Sequence, residues 1–356
     1  MLLAKTGKIC DSASPLRDCV GLMPEFRLDC ATGQVVLMAP EREAREGGLG
    51  EPLDPRRHCP FCPGSEALTP HEVAARRPPG SPANAPDWQV RVFANRYPAV
   101  AAPPEETRDT PAPPGPAQPT VPGWGWHEVV VETRHHPLGL ADLPVAEIRW
   151  VLEIWRERLC ALRELGNDPR QPRCEWVQIF KNSGPKAGAS QPHAHSQIFG
   201  LPFVPAGPAA EYDQAADRGP SATSPLPLDE TLCLLQTEHY RASCPRVSRF
   251  MYEVHLHPLR PECQFAREPL AQLAELAALL RRVLQALNST ANTPDYNLIL
   301  HTAPLHRMVR GWRWRLEILP RLYSWGGLEL GSGLVVNPLL PEQACQRLRA
   351  NLSRER

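Results

Sequence analysis

The order helix, strand, strand occurs twice in this chain, the second copy about 120 residues after the first. In the first copy Val145, Ile148, Leu152, Trp155, Leu159 and Leu162 recur at the spacing of a helix with one apolar face. Asp142 is a candidate cap, Pro144 falls in the first turn, and Gly-Asn-Asp-Pro at 166–169 is a stop. A strand precedes the helix at 128–132, and strands follow at 175–180 and 195–200. In the second copy Leu270, Leu273, Leu276, Leu280, Val283 and Leu287 mark a helix from about 269 to 287. Strands are predicted at 296–301, 312–319 and near 334–336, and Pro341 opens a last helix over 342–352. A duplicated unit of short-looped strands favours antiparallel sheets with helices laid on them, an α+β arrangement.

The length of 356 residues suits two or three domains, or one duplicated one. Residues 1–204 and 229–356 are the expected halves, joined by a loop-like stretch at 205–228. Proline, at 42 residues, concentrates in 101–122, which predicts a mobile surface insertion without packed elements. Lys+Arg and Asp+Glu are both 39, so the chain lacks the basic excess of a nucleic-acid-coating surface. No run reaches the ~20 apolar residues that span a bilayer, and residues 1–9 are too short and mixed for a secretory signal. Eleven scattered cysteines then read as reduced thiols, and the expected compartment is the cytoplasm.

Cys59-Pro60-Phe61-Cys62 has the spacing of half a zinc site, with Pro60 and Pro63-Gly64 tightening the knuckle. The same motif also suits a redox pair or two buried thiols. His135, His136 and His193 are candidate partners. A set of Cys59, Cys62, His136 and His193 would be closed, tetrahedral and structural. In the run Ser190-Gln191-Pro192-His193-Ala194-His195-Ser196-Gln197, alternation points His193, His195 and Gln197 the same way, roughly 7 Å apart. A loop at 181–189 with Gly184 and Gly188 precedes them, and lets backbone amides approach an anion. Neutral imidazole is abundant at cellular pH and can attack phosphorus, which makes His195 a candidate nucleophile. Ser190 and Gln197 are candidate donors to phosphate oxygens. Two metal ligands, or two polar strand residues, are the other readings of the histidine pair.

HCPFCPG at 58–64, VFANRYPAV at 92–100, HEVVVETRHH at 127–136 and FKNSGPKAGASQPHAHSQIFG at 180–200 resemble the galactose-1-phosphate uridylyltransferase family of the histidine-triad superfamily. The resemblance continues through EFRLDCATGQVVLMAPERE, PDYNLILHTAP, WRWRLEILPRL and GGLELGSGLVVNPLLPEQACQRLR. It implies two tandem histidine-triad-like halves, a homodimer, His195 as the residue that becomes nucleotidylated, and one structural zinc on Cys59, Cys62, His136 and His193. It implies that Asn182, Gly188 and Ser190 hold the loop and phosphates. It places Asn95 at the nucleoside, Glu329 at the hexose and Arg27 near phosphate. The implied reaction moves a nucleotide from a nucleoside diphosphate sugar to a sugar 1-phosphate, as in UDP-glucose:hexose-1-phosphate uridylyltransferase. The alternatives are phosphorolysis of ADP-glucose or a dinucleoside polyphosphate, and a non-catalytic zinc-stabilised nucleotide-binding protein. Three departures stand out. Ala194 replaces the usual proline between the histidines. Arg96 stands where the nucleoside motif often has an acid. Arg315 stands where some members have a histidine for a second metal, so no second metal is expected. The C-terminal run looks especially like ADP-glucose phosphorylase and the less specialised prokaryotic members.

Overall fold

The computed structural model describes residues 23–40, 42, 59–104, 112–165, 172–217 and 229–352. The N-terminal stretch, the helix stop at 166–169, part of the proline-rich tract and residues 218–228 lie outside the described residues.

Ten strands form one sheet. In chain order they are β3 (Glu72–Arg76), β4 (Val90–Ala94), β6 (Trp126–Val131), β7 (Trp176–Ser183), β8 (His195–Leu201), β9 (Cys233–Gln236), β10 (Tyr240–Ser243), β11 (Val254–Pro258), β12 (Tyr296–His301) and β13 (Arg315–Pro320). The spatial order is β3-β4-β6-β8-β7-β12-β13-β11-β10-β9. The two halves have the same topology, with the fifth strand of each inserted between its third and fourth. They meet where β7 pairs antiparallel with β12, from Tyr296 opposite Ser183 to Leu300 opposite Ile179. The expected duplication is therefore present, and registers match across it. Gln197 lies opposite Val129 and Phe180, while Glu317 lies opposite His255 and Ile299. Arg315 and Glu317 thus hold, in the second half, the strand positions of His195 and Gln197.

Helices α1 (Val145–Leu165) and α3 (Leu273–Ala291) lie against one face of this sheet and against each other. The α1 stripe from Ile148 to Leu162 is buried as its periodicity requires. Each fully buried aliphatic side chain in it contributes about 1.5–3 kcal/mol relative to exposure. Asp142 does not bond the helix; its carboxylate accepts from Gly139 N in the preceding turn. Helix α5 (Pro341–Leu352) packs beside α3. Strand β8 divides its side chains between faces. Ser196 accepts from Trp155 Nε1 at 2.9 Å on the helix side, and His195 and Gln197 project to the other side. There Trp88, Phe93, Val129 and Val131 form a second apolar cluster with Phe61 against it.

Three expectations are corrected. Residues 205–228 are not all connecting loop: α2 (Ala206–Asp217) forms, with Tyr212 buried and its hydroxyl donating to Thr302 O. Its face is anchored by one tyrosine and one alanine, too thin a stripe for periodicity to reveal. The proline-rich tract ends in a strand, β5 (Thr120–Pro122), which pairs with β1 (Glu25–Leu28), itself paired to β2 (Val35–Met38). Pro122 is tolerated because β5 is an edge strand of that sheet. Residues 334–336 are not a strand: they are largely exposed after the short helix α4 (Gly327–Ser332) and find no ladder partner. Among the described residues no helix is long and apolar enough to cross a membrane.

Candidate functional site

The knuckle, the turn after β6 and the approach to β8 converge on the sheet face away from the helices. His193 Nε2 donates to Thr133 O at 2.8 Å, which leaves Nδ1 to face Cys59 Sγ and Cys62 Sγ, each at 3.6 Å. His136 Nδ1 lies 3.3 Å from His193 Nδ1 and 3.8 Å from Cys62 Sγ. The four donors all lie within 4.8 Å of one another, a cluster that can hold a metal ion. Burial pushes the Cys59 thiol up to about 11 and the His193 imidazole down to about 4. The uncharged ring keeps a lone pair on Nδ1, and a cation among the donors would reverse the sign for the thiol.

His195 is outside this cluster. Its Nδ1 donates to His193 O at 2.9 Å, so the neutral ring carries its lone pair on Nε2. The ring lines a cavity of about 180 Å³ together with Ser190, Gln197, Asn95, Arg96 and Phe61. Phe61, from the middle of the knuckle, meets the His195 ring edge-on at 5.3 Å between centroids. Behind the strand, buried Lys181 donates to Glu132 Oε2 at 2.7 Å and to His195 O at 3.4 Å. That ion pair clamps the main chain of the histidine from β7.

The glycine loop lies between β7 and β8. Gly184 has φ +84°, and a Cβ there would stand 2.1 Å from Asp295 Oδ1, so the close approach excludes any side chain. Asp295 Oδ2 accepts from Lys186 N at 2.6 Å. Asn297 Nδ2 donates to both Asn182 Oδ1 and Ala187 O at 2.9 Å, and Asn182 Nδ2 donates to Gly188 O at 3.3 Å. The second half therefore braces the loop of the first.

Of the residues singled out in the sequence, Asn95, Ser190, His195 and Gln197 come together on the cavity. Cys59, Cys62, His136 and His193 form the donor cluster beside it. Asn182 and Gly188 hold the loop without lining the cavity. Arg27 is exposed on β1 and pairs with Glu25. Glu329 is half-buried on α4, where it accepts from Gly326 N. Neither lines the cavity. Arg96 lines it and donates to Leu68 O at 3.2 Å. Sequence reasoning missed Phe61, His127, Glu132, Lys181, Asp295 and Asn297. Phe61 had one available signal, its place inside the CxxC knuckle. The others act through partners remote in sequence.

In the second half, Arg315 donates to Glu211 Oε1 at 2.6 Å and to Glu317 Oε1 at 2.8 Å, and His301 Nε2 is 3.2 Å from Glu317 Oε2. Glu253, His255 and Glu317 also lie close enough to hold an ion. Arg249 reaches Glu253 at 3.0 Å and Glu317 at 2.5 Å. Two guanidinium groups thus already face those carboxylates and compete with any metal.

Residues 22–205 match the family model described as galactose-1-phosphate uridyl transferase, N-terminal domain. An ADP-glucose phosphorylase of Arabidopsis thaliana is 29% identical over 338 residues, 92% of this chain and 92% of that protein. A galactose-1-phosphate uridylyltransferase of Thermotoga maritima is 26% identical over 345 residues, 92% of this chain and 98% of its own length. Among solved structures, the Arabidopsis thaliana ADP-glucose phosphorylase with bound ADP-glucose superposes with a TM-score of 0.71 at 28% identity. It covers 92% of this chain and 98% of that one.

Proposed function

Because the chain belongs to the galactose-1-phosphate uridylyltransferase family, we propose that it transfers a nucleotidyl group from a nucleoside diphosphate sugar to a phosphate-bearing acceptor through a covalent bond to His195. One observation carries the reading: the neighbouring histidines face different tasks, His193 Nδ1 toward Cys59 and Cys62 and the His195 ring toward the cavity. His195 Nε2 attacks the α-phosphorus, an N–P bond forms, and the bond to the bridging oxygen breaks. Hexose 1-phosphate leaves with that electron pair. The imidazolium formed keeps its Nδ1 proton on His193 O. In the second half-reaction an acceptor oxygen attacks phosphorus and the P–N bond breaks, which predicts ping-pong kinetics. Ser190 and Gln197 donate to the non-bridging oxygens. Losing one such donor typically slows turnover by about 10²–10³.

Zinc fits the donor cluster. With Zn–S near 2.3 Å and Zn–N near 2.0–2.1 Å, a tetrahedron requires S···N of about 3.6 Å and N···N of about 3.3 Å. The spacings found are 3.6, 3.6, 3.8 and 3.3 Å. When bound, such an ion is structural, because Cys59, Cys62, His136 and His193 fill its four positions.

The main reading is uridylyl transfer from UDP-glucose to a hexose 1-phosphate. Adenylyl transfer from ADP-glucose to phosphate is a second reading, favoured by the similarity to ADP-glucose phosphorylase. A homodimer is part of the proposal. Leu328, Leu330, Leu334, Val336 and Leu340 are all more than half exposed, an apolar segment that a second copy would cover, with Glu329 among them. A cytoplasmic location is supported by nine described cysteines, none in a disulfide.

The test is intact-mass measurement after exposure to UDP-glucose or ADP-glucose. A UMP adduct supports the main reading, an AMP adduct the second. Nucleotide binding without any adduct would favour a non-catalytic binding protein. His195→Ala should form no adduct and keep its metal, whereas His193→Ala should lose metal. Normal turnover by His195→Ala would overturn the covalent mechanism.

A further inference from the structure

We infer that His127 is a positioning residue that sets which way the Gln197 amide faces; this rests on the role just proposed for Gln197. His127 is buried on β6, two residues before Val129, the strand neighbour of Gln197. Polar groups of Ala99, Gln197 and Asn95 are among those that meet its ring. Ala99 N donates to Nδ1 at 3.1 Å. Gln197 Oε1 lies 2.8 Å from Nε2, and Asn95 Nδ2 lies 3.1 Å from the same atom. A neutral imidazole accepts at one nitrogen and donates at the other. The backbone amide is fixed and can only donate, so Nδ1 accepts and the proton is on Nε2. Asn95 Oδ1 accepts from Tyr97 N at 2.9 Å, which keeps its Nδ2 toward the ring; that contact forms no bond with Nε2–H, and the backbone amide on Nδ1 decides the tautomer.

Nε2–H then donates to Gln197 Oε1. The amide oxygen is turned toward His127, and the amide nitrogen faces the cavity that Gln197 lines. That orientation matters for a phosphate site. An N–H there donates to a non-bridging oxygen, whereas the flipped amide would set a carbonyl oxygen against an anion. The imidazole is itself held, with Phe199 edge-on at 5.4 Å and its main-chain oxygen accepting from Asn95 N at 2.7 Å. His127 therefore acts through Gln197 and not on the substrate.

Two measurements test this. The ¹⁵N spectrum of histidine-labelled wild-type protein should show the Nε2–H tautomer at His127; the Nδ1–H tautomer would overturn the inference without any variant. Single-turnover adduct formation with the nucleotide sugar that labels the wild type supplies the second. His127→Phe keeps the ring contact but not the donor, and should slow adduct formation ten- to a hundredfold while binding stays within twofold. His127→Gln retains a donor and should recover most of the loss. In a Gln197→Ala background, His127→Phe should add no further slowing. Slowing that multiplies in the double variant would overturn the inference and leave the role of Gln197 standing. Wild-type rates in Gln197→Ala alone would sink the role of Gln197 and the inference with it.

Discussion

Arg315→Met should destabilise the chain by about 3 kcal/mol, the lower end of the range for removing one partner of a buried ion pair. The side chains of Arg315 and Glu317 are 17% and 3% exposed, and Glu211 is 38% exposed. The arginine answers both carboxylates, at 2.6 and 2.8 Å. Without it Glu317 keeps Arg249 and His301, which moderates the loss. A surface pair would contribute under about 1 kcal/mol, so the two cases separate clearly. Most of the cost lies in leaving Glu317 charged and under-neutralised. Arg315→Met with Glu317→Gln should therefore recover more than half of it. Urea unfolding followed by tryptophan fluorescence is a direct assay, since the Arg315 guanidinium lies over the Trp312 ring at 5.7 Å. A loss below about 1 kcal/mol, or a double variant no more stable than the single one, would refute the reasoning.

Two further outcomes follow from the geometry. The arginine and histidine neighbours hold the Glu317 carboxyl well below its ordinary 4.5 despite burial. A carboxylate depressed in the fold contributes fully above its unfolded pKa and loses that contribution as pH falls below it. Wild-type stability should thus drop as pH is lowered past about 4.5, and Glu317→Gln should flatten that drop; equal acid slopes would count against it. Gly184→Ala forces a side chain onto Asp295 at φ +84°, costs about 1–2 kcal/mol in backbone strain alone, and should slow adduct formation tenfold or more. Unchanged single-turnover rates would show that the loop tolerates displacement.

The legibility of this protein in its sequence followed the range of the interactions. Local periodicity was enough for α1, α3 and β8, because a stripe or an alternation is a property of ten or twenty consecutive residues. His195 and Gln197 could be set on one face for the same reason. The donor cluster was legible because thiols and imidazoles are rare and their pairing is chemically specific. What escaped were partners distant in the chain. Lys181 and Glu132 are 49 residues apart, and Asn297 and Asn182 are 115 apart. Nothing in either local stretch signals the other. Helix α2 escaped because its buried stripe is only Tyr212 and Ala215, which shows no periodicity until Tyr212 finds Thr302 and Glu211 finds Arg315. Arg27 and Glu329 were placed by resemblance alone, and a single chain does not bring them to the cavity.

The junction of β7 with β12 has a consequence for how such a molecule can change over evolutionary time. Each would be a bare sheet margin if its counterpart were absent, and a bare margin recruits foreign strands. Deleting either half would bare that margin, so the second half, which carries Arg315 and Glu317 in place of a histidine and an amide, is still required to cover β7 and to brace the glycine loop through Asp295 and Asn297.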